Sequence, residues 1–194
     1  MRVVAFNCSA RKDGNTASLI ERVLVELRAE GIETETFALA GKRVHGCTAC
    51  MKCRETLDKR CSGINDYISE CIEAIDRADG IVIGSPVYFA DITPEAKALI
   101  DRVGYVARAN PELLRRKVGA AVIAVRRGGA IHAFDSINHL FLISEMIVPG
   151  SSYWNIGIGG PPGAVEQDDE GLQTMARLGQ NMAWLLKRVR DEAS

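Results

Sequence analysis

Four cysteines within one 15-residue stretch are the residues best suited to bind a metal: Cys47, Cys50, Cys53 and Cys61. Two residues separate each of the first three, and seven residues precede the fourth. This spacing puts three thiolates on one tight loop to which the fourth returns, and a cubane [4Fe–4S] cluster takes one cysteine at each iron. Zinc ribbons more often use two Cys-x2-Cys pairs separated by a longer segment. The pattern therefore favours a [4Fe–4S] cluster over zinc or redox-active thiols.

The charge of the same loop also favours an iron–sulfur cluster. Residues 42–61 contain six lysines and arginines but only two acidic residues. Four thiolates around an iron–sulfur core leave a net negative charge, which a basic loop offsets. His45 borders the loop, where it is placed to tune or solvate the cluster. The other two cysteines, Cys8 and Cys71, are predicted to be small buried side chains, because Cys71 lies on an apolar helical stripe.

A second group of polar residues follows the first predicted strand and opens a helix. It reads Ser9-x-Arg11-x-x-Gly14-Asn15-Thr16. A helix N-terminus presents unpaired N–H groups and a partial positive charge, so it favours a phosphate. Ser9 and Thr16 add hydroxyl donors, Arg11 adds a charged one, and Gly14 permits the backbone to wrap an anion. The segment predicts a phosphate site, in which Asn15 or Thr16 also caps the helix.

Other nucleotide and catalytic motifs do not fit. The Gly-x-x-x-x-Gly-Lys-Ser/Thr loop of nucleotide triphosphatases and the Gly-x-Gly-x-x-Gly dinucleotide fingerprint are both missing from residues 8–16. Gly157-x-Gly159-Gly160 does not lead from a buried strand into a helix and is interpreted as a loop. A Gly-x-Ser-x-Gly elbow is also missing, which disfavours a hydrolase. A mononucleotide is favoured over FAD because no second nucleotide-binding half is evident.

Two further loops have residues suited to hold a planar ring. The first, Ser85–Asp91, contains a stiffening proline and two adjacent aromatics, and a flat heterocycle needs an apolar wall with backbone groups at its polar edge. The second, 126–130, contains two glycines that let backbone amides approach that edge. The alternative is that the two aromatic side chains of the first loop pack in the apolar core. The predicted ring-site residues are Pro86, Val87, Tyr88, Phe89, Arg126, Gly128 and Gly129.

These loops require an alternation of strands and helices to bring them together. Short apolar runs predict five strands: residues 2–7, 32–39, 80–84, 117–125 and 146–148. Apolar residues at helical spacing predict a helix between each two consecutive strands and a last helix over 171–190. The cysteine-rich loop 42–63 is inserted after strand two. The predicted fold is α/β, a doubly wound five-stranded parallel sheet with 32–39 near an edge. The loops 8–16, 85–93, 126–130 and 150–160 then meet at one end of the sheet.

Composition limits the class of protein. The chain has 194 residues, 47% of them apolar and 25% charged, which predicts one globular domain over 1–194. Its net charge of −1 lacks the basic excess of a nucleic-acid binder. We find no apolar run long enough to span a membrane and no signal peptide. We therefore expect a soluble cytoplasmic protein without nucleic-acid or membrane partners.

Three motifs together resemble one family over almost the whole chain. Ser-x-Arg-x-x-Gly-Asn-Thr (9–16) resembles the FMN-phosphate loop of the flavodoxin-like NADPH-dependent FMN reductases, and residues 85–102 resemble their isoalloxazine loop and following helix. The compact cysteine run after strand two is similar to that of their iron–sulfur flavoprotein branch. Two departures are that Ala90 stands where the family often has glycine, and that the gap before Cys61 is at the long end of the family's range.

The resemblance implies FMN and one [4Fe–4S] cluster in each subunit of a homodimer or homotetramer. It also implies a ferredoxin-like electron donor, electron transfer in steps of one and two, and communication between cluster and flavin across a subunit interface. We expect an oxidoreductase with flavodoxin-like fold. One alternative is an NAD(P)H-dependent FMN or quinone reductase whose cysteines are vestigial or bind zinc. Another is a redox sensor that binds flavin weakly or not at all.

Overall fold

A parallel five-stranded sheet forms the centre of the computed structural model, which describes residues 1–191. Its strands are β1 (Arg2–Asn7), β2 (Glu33–Ala38), β3 (Gly80–Pro86), β4 (Val118–Val125) and β5 (Ile156–Ile158). The helices are α1 (Asn15–Ala29), α2 (Lys52–Thr56), α3 (Tyr67–Asp76), α4 (Pro94–Ala109), α5 (Ala130–Ile143) and α6 (Asp169–Asp191). The strand order is β2-β1-β3-β4-β5, which confirms the predicted doubly wound, flavodoxin-like fold.

Helices cover both faces of the sheet, so the apolar core has two halves. On one face α1 and α6 pack over side chains such as Val3, Ala5 and Val82. On the other face α3, α4 and α5 pack over the alternate side chains, such as Val4 and Phe6. All eight residues of β4 are buried, as expected for a strand covered on both sides, whereas no residue of β2 is fully buried. The prediction of β2 near an edge is confirmed.

The fifth strand differs from its sequence prediction. Residues 146–148 form only one bridge, between Ile147 and Val118, whereas β5 lies ten residues later and pairs with 123–125. The side chain of Asn155, just before β5, is buried and donates to the carbonyl oxygen of Ala121. The chain thus runs beside the start of β4, leaves it, and returns beside its end. The strand prediction at 146–148 was wrong, and the predicted loop 150–160 contains β5.

Helix starts follow local capping chemistry. Thr93 caps α4 by accepting from the N–H of Ala96 at 3.1 Å, with Pro94 in the first turn, and Asp66 caps α3 by accepting from the N–H of Ile68 at 3.1 Å. The cysteine-rich loop, predicted without helix, contains the single helical turn of α2. Within residues 1–191, every helix is too short or too polar to cross a bilayer.

Candidate functional site

The loop after β1 is held by its own polar side chains. Asn7 accepts from the N–H of Ser9 at 3.1 Å and donates to the carbonyl of Lys12 at 3.0 Å. The Ser9 hydroxyl accepts from the N–H of Arg11 at 3.0 Å. Asn7 and Ser9 are buried, while Arg11 is exposed. The loop therefore has a fixed backbone and a free cationic side chain at its surface.

The loop ends at an uncapped helix N-terminus. Gly14 is the N-cap of α1, and no side chain within residues 1–191 caps the first turn, so the prediction that Asn15 or Thr16 caps the helix was wrong. The first four N–H groups of a helix have no partner within it, so this end suits an anion. Thr16 lies buried in that first turn, beside the loop of Ser9 and Arg11. These residues fit a phosphate group by position and by chemistry.

The side chain of Asn15 forms hydrogen bonds with the segment after β5. Its Nδ2 donates to the carbonyls of Gly159 at 2.9 Å and Pro161 at 3.0 Å, and its Oδ1 accepts from the N–H of Val165 at 3.4 Å. The backbone N–H remains at the helix end. Asn15 therefore joins the loop after β1 to the segment after β5, a link that the sequence pattern did not indicate.

The loop after β3 forms a tight two-residue turn. Tyr88 and Asp91 exchange two backbone hydrogen bonds of 2.8 and 3.2 Å, and Phe89 and Ala90 between them have φ of +47° and +69°. Both central residues of a type I′ turn need positive φ, which is why glycine is preferred there. Phe89 is fully exposed and Tyr88 is partly exposed, so the aromatics do not lie in the core. They are free to line a ligand.

The loop after β4 packs against this turn. A Cβ built on Gly129, whose φ is +87°, would lie 2.8 Å from the Cα of Ala90 and 3.1 Å from a methyl of Val87. A Cβ on Gly128 would meet nothing within 4 Å. The backbone at Gly128 therefore faces open space, which fits the edge of a planar ring beside the turn. Val87 is fixed by its N–H, which donates to the carbonyl of Ala124 at 2.9 Å.

Hydrogen bonds tie these loops into one group at the carboxyl ends of the strands. Thr93 donates to the carbonyl of Cys8 at 2.8 Å, and its N–H donates to the hydroxyl of Ser85 at 3.1 Å. Pro86 ends β3, and Arg126 is exposed with its stem beside Gly160. The structure thus brings the loops 8–16, 85–93 and 126–130 together at one end of the sheet, as predicted.

Asp91 joins the turn to helix α5. Its Oδ1 accepts from the hydroxyl of Ser136 at 2.8 Å, and its Oδ2 lies 3.4 Å from Nε2 of His132. Burial acts to raise the pKa of Asp91, but the hydrogen bonds from Ser136 and the N–H of Ile92, with His132 nearby, leave it below its usual value. The carboxylate stays charged and anchors the turn.

A cavity of about 430 Å³ adjoins the 126–130 loop on its β5 side. Tyr153 and Trp154 line its wall, and more than half of each side chain is exposed. They extend from the segment before β5, where Trp154 contacts Phe134 at a ring distance of 6.0 Å.

The four clustered cysteines line a single pocket beside α4. Its cavity volume is only about 20 Å³, so the side chains nearly fill it, and its wall is completed by Arg102, Tyr105 and Val106. No three metal-ligating side chains among residues 1–191 converge on one ion. Cys8 and Cys71 do not belong to this pocket. Both are buried in the core, as predicted.

Neighbouring cysteines and a hydrogen bond shift the pKa values of two thiols in this pocket. Partial burial and the neighbouring Cys61, Cys47 and Cys50 raise the pKa of Cys53. The exposed Cys50 has a lowered pKa, mainly because the backbone N–H of Lys52 donates to it. Cys47 accepts from the N–H of Ala49 at 3.4 Å. All four cysteines are therefore near neighbours, as the spacing predicted.

Gly63 shows how closely this pocket is built. A Cβ added there would lie 2.4 Å from the Sγ of Cys50. The backbone of Gly63 thus lies directly beside the exposed thiol of Cys50, and a larger residue would displace that thiol. The four thiols that line the pocket provide the donor set that a group with four thiolate ligands needs, and their side chains would have to turn toward one point to bind it.

One residue at this pocket was not indicated as a site residue by the sequence. Arg102 is completely buried, and its Nε donates to the Sγ of Cys61 at 3.3 Å. A signal was present, because Arg102 lies on the apolar stripe of α4 with Leu99, Val103 and Val106. A charged residue at a core position of a helix needs buried partners.

Comparison with known proteins agrees with this arrangement. Residues 1–160 match the family described as NADPH-dependent FMN reductase. An iron-sulfur flavoprotein of Methanocaldococcus jannaschii is 37% identical over 98% of this chain and 100% of its own length. An iron-sulfur flavoprotein of Methanosarcina thermophila is 32% identical over 97% of each chain.

Solved structures show the same fold at low identity. RosB with a bound 8-demethyl-8-formylriboflavin-5'-phosphate intermediate has a TM-score of 0.78 at 19% identity, covering 100% of this chain and 82% of that one. An archaeal flavodoxin has a TM-score of 0.61 at 16% identity, covering 96% and 99%. With the family match over residues 1–160 and the curated relatives over nearly the full length, this chain belongs to the NADPH-dependent FMN reductase family of flavin oxidoreductases.

Proposed function

We propose that this protein is an iron–sulfur flavoprotein that binds FMN and a [4Fe–4S] cluster and carries electrons between a ferredoxin-like donor and an acceptor. The observation that carries the proposal is the pocket lined by Cys47, Cys50, Cys53 and Cys61 in a chain of the FMN reductase family. The curated relatives named iron-sulfur flavoproteins support it.

The flavin is held by the loops at the carboxyl ends of the strands. The α1 N-terminus, Ser9, Arg11 and Thr16 bind its phosphate, because they combine backbone N–H groups, hydroxyls and a cation. The turn at Tyr88 and Phe89 covers the ring, and the backbone of 128–129 meets its polar edge. Arg126 is exposed beside the same loop. Ser85, Thr93 and Asp91 keep these loops in place.

The cluster is held by the four cysteines, of which Cys50 is exposed and the other three are partly buried. When bound, FMN exchanges two electrons while the cluster exchanges one at a time. The backbone of Gly63 lies beside Cys50, and the carbonyl of Tyr105 on α4 accepts a weak hydrogen bond from Cys53, with an S–O distance of 3.8 Å. These residues fix the positions of the thiols before any ligand is bound.

The surface around the cysteines suits an acidic partner. Exposed basic side chains stand close to the cysteines in the sequence: Lys42, Arg43, Lys52 and Arg54. Complementary charge steers association and raises its rate at low salt. We expect a small acidic one-electron carrier of the ferredoxin type to dock here. Lys52→Glu should slow electron entry from such a carrier and reduce its dependence on salt.

The exposed face of α5 supports a homo-oligomer. Leu142 and Ile143 are each about two-thirds exposed, and Tyr153 and Trp154 are exposed nearby. Contiguous apolar surface of this kind marks protein contacts. We expect a homodimer or homotetramer, as the resemblance implies, that brings cluster and flavin of different subunits together. Leu142→Glu should lower the molecular mass that sedimentation measures, whereas Val25→Glu on α1 should leave it unchanged.

One anaerobic preparation tests the proposal. It should contain FMN together with about four irons and four sulfides per chain, as the cluster formula requires. Alanine at each of the four cysteines should abolish the cluster absorption while FMN remains, and Cys8→Ala and Cys71→Ala should keep both. Protein with FMN, no iron and rapid oxidation of NADPH would instead favour the reductase alternative, which the family description supports.

A further inference from the structure

Arg102 occupies the centre of the cysteine-rich segment although it belongs to α4. Its guanidinium has five N–H donors, and each has an acceptor. The acceptors are Cys61 Sγ at 3.3 Å, His45 O at 3.3 Å, Ile64 O at 2.9 Å, Ser69 Oγ at 3.5 Å and Asp66 Oδ1. All lie between residues 45 and 69, so one side chain holds both ends of the segment that contains the thiols.

The charge of Arg102 is balanced locally. Its side chain and that of Asp66 are both fully buried, and they form a buried ion pair. Asp66 also accepts from the N–H groups of His45 at 2.9 Å and Ile68 at 3.1 Å. A buried charge needs a partner and hydrogen bonds to be tolerated, and this pair has both.

The five hydrogen bonds divide into two kinds. Four of them go to oxygen atoms of the backbone and of Asp66 and Ser69, and they fix the course of the chain. The fifth goes from Nε to a sulfur that faces the pocket. A hydrogen bond to a ligating sulfur stabilises the more negatively charged, reduced form of an iron–sulfur cluster and raises its reduction potential.

We propose that Arg102 is a positioning residue that sets the reduction potential of the cluster through its Nε–H bond to Cys61, while Asp66 limits the effect of its charge. The proposal rests on the proposed function, because it needs Cys61 as a cluster ligand. It deepens that function by naming how a residue of α4, outside the cysteine loop, controls the energy at which an electron enters.

The two partners should shift the potential in opposite directions. Arg102→Lys keeps a positive charge for Asp66, but a single ammonium cannot also provide the planar Nε–H aimed at Cys61. We therefore expect a more negative midpoint potential for the cluster. Asp66→Asn keeps the guanidinium and removes its counter-charge, so we expect a more positive potential. A residue that only supported the fold would not produce two opposite shifts.

The test is a redox titration of the anaerobic, cluster-loaded protein followed by visible absorption and EPR. Arg108→Gln, which removes an exposed arginine from the same helix, is the control and should leave the potential unchanged. If Arg102→Lys does not fold, as judged by circular dichroism, the upward shift in Asp66→Asn decides alone. A wild type without iron would overturn the proposed function and this inference with it. A loaded wild type whose potential does not differ from those of the folded variants would overturn this inference only.

Discussion

At Gly63 any side chain would displace a proposed cluster ligand, because a Cβ built there would lie 2.4 Å from the Sγ of Cys50. Normal contact between such atoms is roughly 3.5–4.0 Å, so the thiol would have to move by about 1 Å. We expect Gly63→Ala to weaken retention of iron by about 10–100-fold, the usual effect of disturbing the surroundings of a metal ligand. Iron content after gel filtration with a chelator measures it.

The matched control is in the same loop. A Cβ built on Gly46 meets no atom within 4 Å, so Gly46→Ala should retain iron as the wild type does. Equal loss from both variants would mean that the loop tolerates no change of glycine, and that Cys50 is not held specifically by Gly63.

Ala90 provides a test of backbone strain beside the ring site. Its φ of +69° costs an L-residue about 1–2 kcal/mol that glycine avoids. Glycine loses more conformational entropy on folding, which offsets part of this gain. We therefore expect Ala90→Gly to raise the free energy of unfolding by about 0.5–1 kcal/mol. Denaturant titration measures it. Ala17→Gly in α1 should have the opposite sign, at about 1 kcal/mol, since there the backbone is helical.

Single residues also show what a sequence can reveal about a site. The cysteine spacing and the Ser9–Thr16 motif carry their chemistry in residue type and order, so a cluster site and a phosphate site could be predicted from them without coordinates. Arg102 was not, because its partners lie 33 to 57 residues away in sequence. Asn15 was assigned to the phosphate on the same motif, yet its side chain bonds to residues that only tertiary structure brings near.

The elements were predictable where hydrophobic pattern and position agreed. Strands β1, β3 and β4 are buried apolar runs, and the polar alternation of β2 identified its edge position. For β5 the pattern misled, since residues 146–148 are more strand-like than Ile156–Ile158. Which of the two segments pairs along β4 depends on Asn155, whose buried amide bonds to Ala121 and sets the register. Such a polar anchor leaves no periodic signal.

Helix α1 and the segment after β5 form one unit through Asn15. Removing its amide takes away the donor to the carbonyl of Gly159, while the carbonyl of Pro161 keeps the N–H of Ala164 at 3.1 Å. Asn15→Ala should therefore lower the free energy of unfolding by about 1–3 kcal/mol. It should also weaken FMN binding, because the end of α1 is then less well fixed. Fluorescence quenching of FMN and denaturant titration measure both effects. Ser18→Ala, in the same helix, should change neither; if it changes both, the effect belongs to the helix in general.

The molecule as a whole should lose stability in alkaline solution through its buried thiols. Burial, with smaller effects of Glu70 and Asp66, raises the pKa of Cys71 from 9.0 to about 12, and burial raises that of Cys8 as well. Above pH 9 the unfolded chain releases these protons while the folded chain keeps them. The free energy of unfolding therefore falls as pH rises, by up to about 1.4 kcal/mol per pH unit for each thiol, until the folded pKa is reached.

A comparison of variants isolates this effect. The difference in free energy of unfolding between wild type and Cys71→Ala should shrink between pH 8 and pH 10.5 in the presence of a reductant, because the variant lacks one of the two thiols. Other groups titrate in both proteins and cancel. A difference that stays constant over this range would mean that Cys71 ionises as easily in the folded protein as in the unfolded chain.

The bonds of Asn15 also bear on how the protein is made. Its partners Gly159 and Val165 are 144 and 150 residues further along the chain. At a synthesis rate of about 5–20 residues per second, the first loop leaves the ribosome roughly 7–30 s before the residues that complete its surroundings. A nascent chain therefore has the phosphate motif long before it has the finished pocket. If this pocket holds FMN as proposed, we expect the flavin to bind after synthesis, so that newly made protein starts without it.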